Sequence, residues 1–276
     1  MPYVEVEDGI RYYYEDVGRG QPIVFIHGWG MSRKVWERQV VDLSEKFRII
    51  TIDWRGCGES DKPSHGYEIS KLADDINQFI KNLNLDKVIL VGFSAGGAIV
   101  MDYVTRYGGE AVIKAVSVGG PVPRYTSTEE FELGIPQEVV KETVDALKTN
   151  RPAVLRNIAD GTFHQDVGQP MKDWLFHILL EQSWFLEKTM EDLGKIDLRG
   201  RLSDITIPVA FFHGLHDKNV PISLSEHSAK NVHNSKLVVF ENSAHAPFIE
   251  ESQKFNEELT SFIQFPNMDK IPGQIQ

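Results

Sequence analysis

Apolar residues recur along the chain in two rhythms. Short unbroken runs rich in β-branched residues occupy positions 23–27, 47–52, 88–93, 113–118 and 209–213. Such runs mark strands buried on both faces. Between them, apolar side chains return at helical spacing: Val35, Trp36, Val40 and Leu43 within 32–43, then Leu72, Ile76, Phe79, Ile80 and Leu83 within 69–83. Ala98, Ile99, Met101 and Tyr103 continue the pattern after residue 94, and a helix near 223–232, a strand at 236–240 and a final helix to about 262 close it. At the start, residues 3–6 and 10–15 flank Asp8-Gly9, a hairpin turn signal that predicts an antiparallel edge. Strand–helix alternation requires right-handed crossovers and a parallel sheet covered on both faces. The pattern therefore predicts an α/β fold, a mostly parallel central sheet flanked by helices.

Between residues 124 and 201 the rhythm changes. No strand is predicted there; helices start after Pro136, after Asn150 as an N-cap, and after Pro170. The third is rich in large apolar groups (Trp174, Leu175, Phe176, Trp184 and Phe185 among them), too many for a single stripe, so it is expected to face both the core and a pocket. The organisation read from this is a core domain of residues 1–123 and 202–264, an inserted helical cap of residues 124–201 over the strand ends, and a loosely held tail of residues 265–276.

In parallel sheets, ligands bind beyond the carboxyl ends of the strands. Three glycine-bearing loops lie there: 27–30, 92–97 and 119–123. The second reads Gly92-Phe93-Ser94-Ala95-Gly96-Gly97. A serine between glycines at a strand-to-helix turn suits a sharp elbow that lifts the hydroxyl above the sheet, which makes Ser94 the candidate nucleophile. The Ala95 N–H at the helix start would point where an oxyanion could form. In His27-Gly28-Trp29-Gly30, either the Trp29 N–H supplies a second such donor or the loop is a plain tight turn. His27 is read as structural, its ring bonded to a loop carbonyl.

A serine needs a base, and the base an orienting carboxylate. His245 follows the last strand in a loop of small residues, and Asp217 follows the strand before it. No carboxylate follows the 113–118 run to compete with Asp217. The remaining histidines fall in surface loops, surface helices or the cap. His213 and His216 lack a third ligand at suitable spacing, so no metal is expected.

Composition narrows the partners. The 276 residues are 41 % hydrophobic and 25 % charged, with a net charge of −11. That balance argues against nucleic acid and anionic membranes, both of which call for clustered Lys and Arg. The single cysteine, Cys57, excludes an intrachain disulfide and reads as a buried filler. The acidic start lacks the apolar core of a secretory signal, and no run approaches the ~18 residues of a membrane span, so a cytoplasmic location is expected. The sequence leaves the oligomeric state open.

Together these residues resemble the α/β-hydrolase superfamily over roughly residues 3–264, closest to its cofactor-free haloperoxidase-like esterase branch. The matching segments are 23–29, Asp53-x-Arg55-Gly56-x-Gly58-x-Ser60, Gly92-x-Ser94-x-Gly96-Gly97, Gly214-x-x-Asp217 and Ala244-His245, with 134–139 in the cap. The order Ser94, Asp217, His245 is that of the superfamily's triad. The resemblance implies a serine hydrolase of carboxylic esters with small to medium apolar acyl or aryl groups, acting through an acyl-enzyme without cofactor. Trp29 and Ala95 N–H groups would hold the oxyanion, and Phe93, Trp174 and Phe248 are expected in the substrate pocket. Opening of lactones, including acyl-homoserine lactones, cleavage of carbon–carbon bonds, and slow-turnover ligand sensing are the alternatives for the same triad. The chain departs from the branch at Gly30, where haloperoxidase-like members often carry a proline that favours peroxide.

Overall fold

The computed structural model describes residues 2–264; the tail read at 265–276 lies outside the described residues. Eight strands form one sheet: β1 (Tyr3–Glu5), β2 (Arg11–Val17), β3 (Pro22–Ile26), β4 (Arg48–Asp53), β5 (Val88–Phe93), β6 (Val112–Val118), β7 (Val209–Gly214) and β8 (Ser235–Phe240). Their spatial order is β1-β2-β4-β3-β5-β6-β7-β8. β2 pairs antiparallel with β1 and with β4, and every other pairing is parallel. The predicted hairpin is present: Asp8 and Gly9 take φ of 61° and 72°, as a two-residue turn between right-twisted strands requires.

The β-branched runs sit where they can be buried from both sides. All six residues of β5 and of β7 are buried. Helices α1 (Glu37–Leu43), α2 (Ile69–Asn82), α3 (Ala95–Tyr107), α7 (Ile222–Asn231), α8 (Pro247–Glu250) and α9 (Ser252–Gln264) belong to the alternating part of the chain. The helix expected over 32–43 begins as a tighter 3-10 turn at Arg33–Trp36. Its first turn is drawn onto Asp53, whose carboxylate accepts the Arg33 N–H and guanidinium, both at 2.7 Å. Beneath β5, Trp36, Phe93, Phe248 and Phe255 pack edge to face and tilted, with ring centroids 4.3–6.4 Å apart.

Between β6 and β7 the chain makes α4 (Gln137–Gly161), α5 (Gln169–Leu180) and α6 (Glu187–Leu193). α4 is two helices end to end, broken at Asn150 (φ −147°, ψ 64°), whose Oδ1 accepts the Ala153 N–H at 3.4 Å. This is the N-cap the sequence predicts. The apolar stretch after Pro170 does not remain one helix. α5 stops at Leu180, and the Arg151 guanidinium donates to the Leu179, Leu180 and Gln182 carbonyls that the stop leaves open. The turn that follows points Trp184 (80 % exposed) and Phe185 (40 %) away from the core, and neither lines the cavity that holds Ser94. Among the described residues no helix is long and apolar enough to cross a membrane.

Candidate active site

Ser94 sits at the junction of β5 and α3 with φ 52° and ψ −119°. A non-glycine residue held there stores about 1–3 kcal/mol of backbone strain, sustained only where the surroundings allow nothing else. The surroundings do so. A Cβ on Gly92 would collide with the Gly96 carbonyl, and one on Gly96 with the Ile26 and His27 carbonyls. The motif's glycines are therefore required by close approach of backbone to backbone, and the turn has one way to pack. Ala95 opens α3, so its N–H has no acceptor one turn earlier in that helix.

Asp217 and His245 meet across the ends of β7 and β8. His245 Nδ1–H donates to Asp217 Oδ2 at 2.7 Å, which fixes the tautomer and leaves Nε2 as an acceptor. Asp217 Oδ1 accepts the N–H groups of Asn219 (2.8 Å) and Val220 (3.0 Å), closing the loop after β7 on itself. Burial alone would raise the Asp217 pKa. The adjacent His245 and the hydrogen bonds from His213 and His245 outweigh it and hold the carboxyl well below its ordinary range.

His213 is a partner that sequence reasoning passed over. It is fully buried, its Nε2–H donates to the Val220 carbonyl at 2.9 Å, and the same nitrogen lies 3.3 Å from Asp217 Oδ2. Ser225 hydroxyl donates to its Nδ1 at 2.7 Å. Its place four residues before Asp217 was the available signal.

Around His245 the fit is close. Phe93 packs against the His245 ring at 4.8 Å. A Cβ on Gly119 would come within 3.3 Å of His245 Nδ1 and 3.4 Å of Asp217 Oδ2. The His245 N–H donates to Thr162 O at 3.0 Å, which ties its loop to the end of α4.

Ser94 and His245 open into one cavity of about 230 Å³. Its walls come from Trp29 and Met31 of the loop after β3, Tyr125 and Ile135 of the loop after β6, Val139, Val140 and Ile158 of α4, and Lys218 and Asn219 of the loop after β7. Phe93 and Phe248, expected in a pocket, do not line it; both are fully buried in the aromatic cluster under His245. Trp174 stays half-buried on α5, outside this lining. Trp29 also walls a second cavity of about 280 Å³ with Gly30, Arg151 and Trp184. Its indole N–H is held by the Leu186 carbonyl at 2.8 Å.

The other chemistry-bearing residues settle into structural roles. His27 donates from Nδ1 to the Gly28 carbonyl at 2.8 Å, accepts the Trp54 N–H at Nε2, and is pushed by burial to a pKa of about 4. Cys57 is buried, and burial drives its thiol pKa well up, which keeps it inert. No group of three His, Cys, Asp or Glu able to hold a metal occurs among the described residues.

A family model described as alpha/beta hydrolase fold matches residues 21–158. An AB hydrolase superfamily protein of Bacillus subtilis (strain 168) is 33 % identical over 264 residues, spanning 94 % of this chain and 98 % of its own. A non-heme haloperoxidase of Rhodococcus erythropolis is 32 % identical, spanning 96 % of this chain and all of its own. Among solved structures, an esterase from Exiguobacterium antarcticum superposes with a TM-score of 0.92 at 33 % identity, covering 95 % of this chain and 99 % of its own.

Proposed function

The chain belongs to the α/β-hydrolase family, in its haloperoxidase-like branch, and from that premise we propose that it is a serine hydrolase of carboxylic esters. The observation that carries the reading is the Asp217–His245 hydrogen bond of 2.7 Å, opening with a strained Ser94 into one largely apolar cavity. The similarity to a solved esterase supports it.

In this mechanism His245 Nε2 takes the Ser94 proton as Oγ attacks the ester carbonyl. Trp29 and Ala95 N–H groups hold the oxyanion that forms. His245 then protonates the departing alcohol, and in the second stage it deprotonates the water that cleaves the acyl-enzyme. Asp217 keeps the imidazole in one tautomer and stabilises its cation, as its depressed pKa equips it to do. The helices from α4 to α6 act as a cap, α4 walling the acyl site. Peroxide chemistry has little support: Gly30 adopts φ 67°, whereas a proline ring fixes φ near −65°.

The test is hydrolysis of a p-nitrophenyl ester chain-length series by wild type and Ser94→Ala. Turnover should fall by about 10⁴ or more in the variant. Equal turnover by both, or a covalent acyl adduct persisting in Ser94→Ala, would remove the serine from the mechanism.

A further inference from the structure

Lys218 is the one charged side chain among the described residues lining the Ser94–His245 cavity. In a chain of net charge −11, that charge is positive. Its ammonium makes no ion pair, hydrogen bond or ring contact with any described residue. Asn219 beside it is similar. Its backbone is engaged on both sides, the N–H by Asp217 Oδ1 at 2.8 Å and the carbonyl by the Tyr125 hydroxyl at 3.1 Å. Its carboxamide has no partner among the described residues.

The backbone of this turn is therefore pinned while two polar tips project without partners. Lys218 is exposed, so it stands at the cavity rim, where meeting an anion costs little desolvation. The rest of the cavity wall is mainly apolar, including Met31, Ile135, Val139, Val140 and Ile158. One mainly apolar cavity thus holds Ser94 and His245 together with a cation and an amide at its rim.

We propose that the substrate ester carries a carboxylate, separated from its reacting carbonyl by an apolar chain and met at the cavity rim by Lys218 and Asn219. This rests on the serine-hydrolase reading and assigns it a substrate class. The hydrolytic step is unchanged; the carboxylate stays ionised and selects which ester is held.

The experiment compares monomethyl esters of linear dicarboxylic acids with methyl esters of monocarboxylic acids of equal carbon number. Wild type should favour the anionic ester in kcat/KM by up to about fivefold, the upper range of one exposed ion pair. High salt and Lys218→Met should each bring that ratio towards one. A second arm measures binding of the same pairs to Ser94→Ala by calorimetry, with and without Lys218→Met, and needs no turnover. Hydrolysis without charge preference overturns the carboxylate proposal and leaves the serine reading standing. Preferential binding of the anionic ester with no hydrolysis by wild type overturns the serine reading and supports the rim site. Equal binding of both esters to Ser94→Ala, as an ordinary solvent lysine would give, removes the rim site.

Discussion

Around Ser94 the backbone leaves no room: the glycines of the elbow touch carbonyl oxygens of β3 and α3, every residue of β5 is buried, and so are the first ten of α3. The stretch between β6 and β7 is fastened differently. Leu175, Leu179, Leu186 and Leu193 share the apolar core with the sheet, and polar links join the stretch to the sheet side at its edge: Trp29 to Leu186 O, Thr189 to Tyr67 O, Ile69 N–H to Asp192, Gly58 N–H to Gln182 Oε1 and Ser183 N–H to Gly56 O. Dense backbone packing fixes an atom to within a few tenths of an ångström, as the proposed role of the Ser94 hydroxyl requires. Side-chain packing and side-chain hydrogen bonds tolerate small substitutions better than backbone held against backbone does.

The largest expected effect comes from filling the elbow. Gly96→Ala should cost about 3 kcal/mol or more, because the methyl meets two carbonyl oxygens that cannot give way. Urea unfolding reads it, and a loss under 1 kcal/mol would mean that the elbow is looser than its packing implies. A second test uses pH. His27 is neutral in the folded core, with a pKa near 4 against 6.5 when free, so between those values the unfolded chain binds a proton that the folded one refuses. Stability should fall as pH drops from 6.5 to 4, by up to about 3 kcal/mol from this residue, and level off below. Unfolding free energies of wild type and His27→Gln across that window should differ in slope; parallel curves would contradict the burial of a neutral ring. The smallest effect belongs to the helical stretch. Nothing lies within 4 Å of a Cβ on Gly161 at the end of α4, so Gly161→Ala should stabilise by about 0.5 kcal/mol through helix propensity. A loss comparable to that of Gly96→Ala would erase the distinction between the two regions.

The two regions also differed in how far they could be read from residues alone. The elbow was legible because its constraint is local: an apolar run, two flanking glycines and an apolar helix are adjacent in sequence. Asn150 as a cap was legible for the same reason. The pairing of β2 with β4, which places β3 inside the sheet, is non-local and carries no short-range signal. The pocket was misplaced because apolar residues on helices look alike whether they face a core or a cavity. Val139 and Val140 line the cavity from α4, whereas Phe93 and Phe248 sit beneath His245. The end of α5 was missed because the pattern continued past the point where Arg151, distant in sequence, ends the helix.

The chain leaves the sheet at β6 and re-enters at β7, and these strands are direct neighbours, with Ala115 opposite Val209. The excursion is thus a closed loop whose ends the sheet itself fixes. Closure entropy grows only logarithmically, about 0.6 kcal/mol for each doubling of length. The interval behaves as a socket: a shorter, longer or foreign set of helices can be spliced between the same two strands with little penalty in closure entropy, provided that it covers the apolar surface that Leu175, Leu179 and Leu186 now bury. What a replacement must bring is its own latch to Trp29 and to the His245 loop, since those anchor points belong to the half of the molecule that stays.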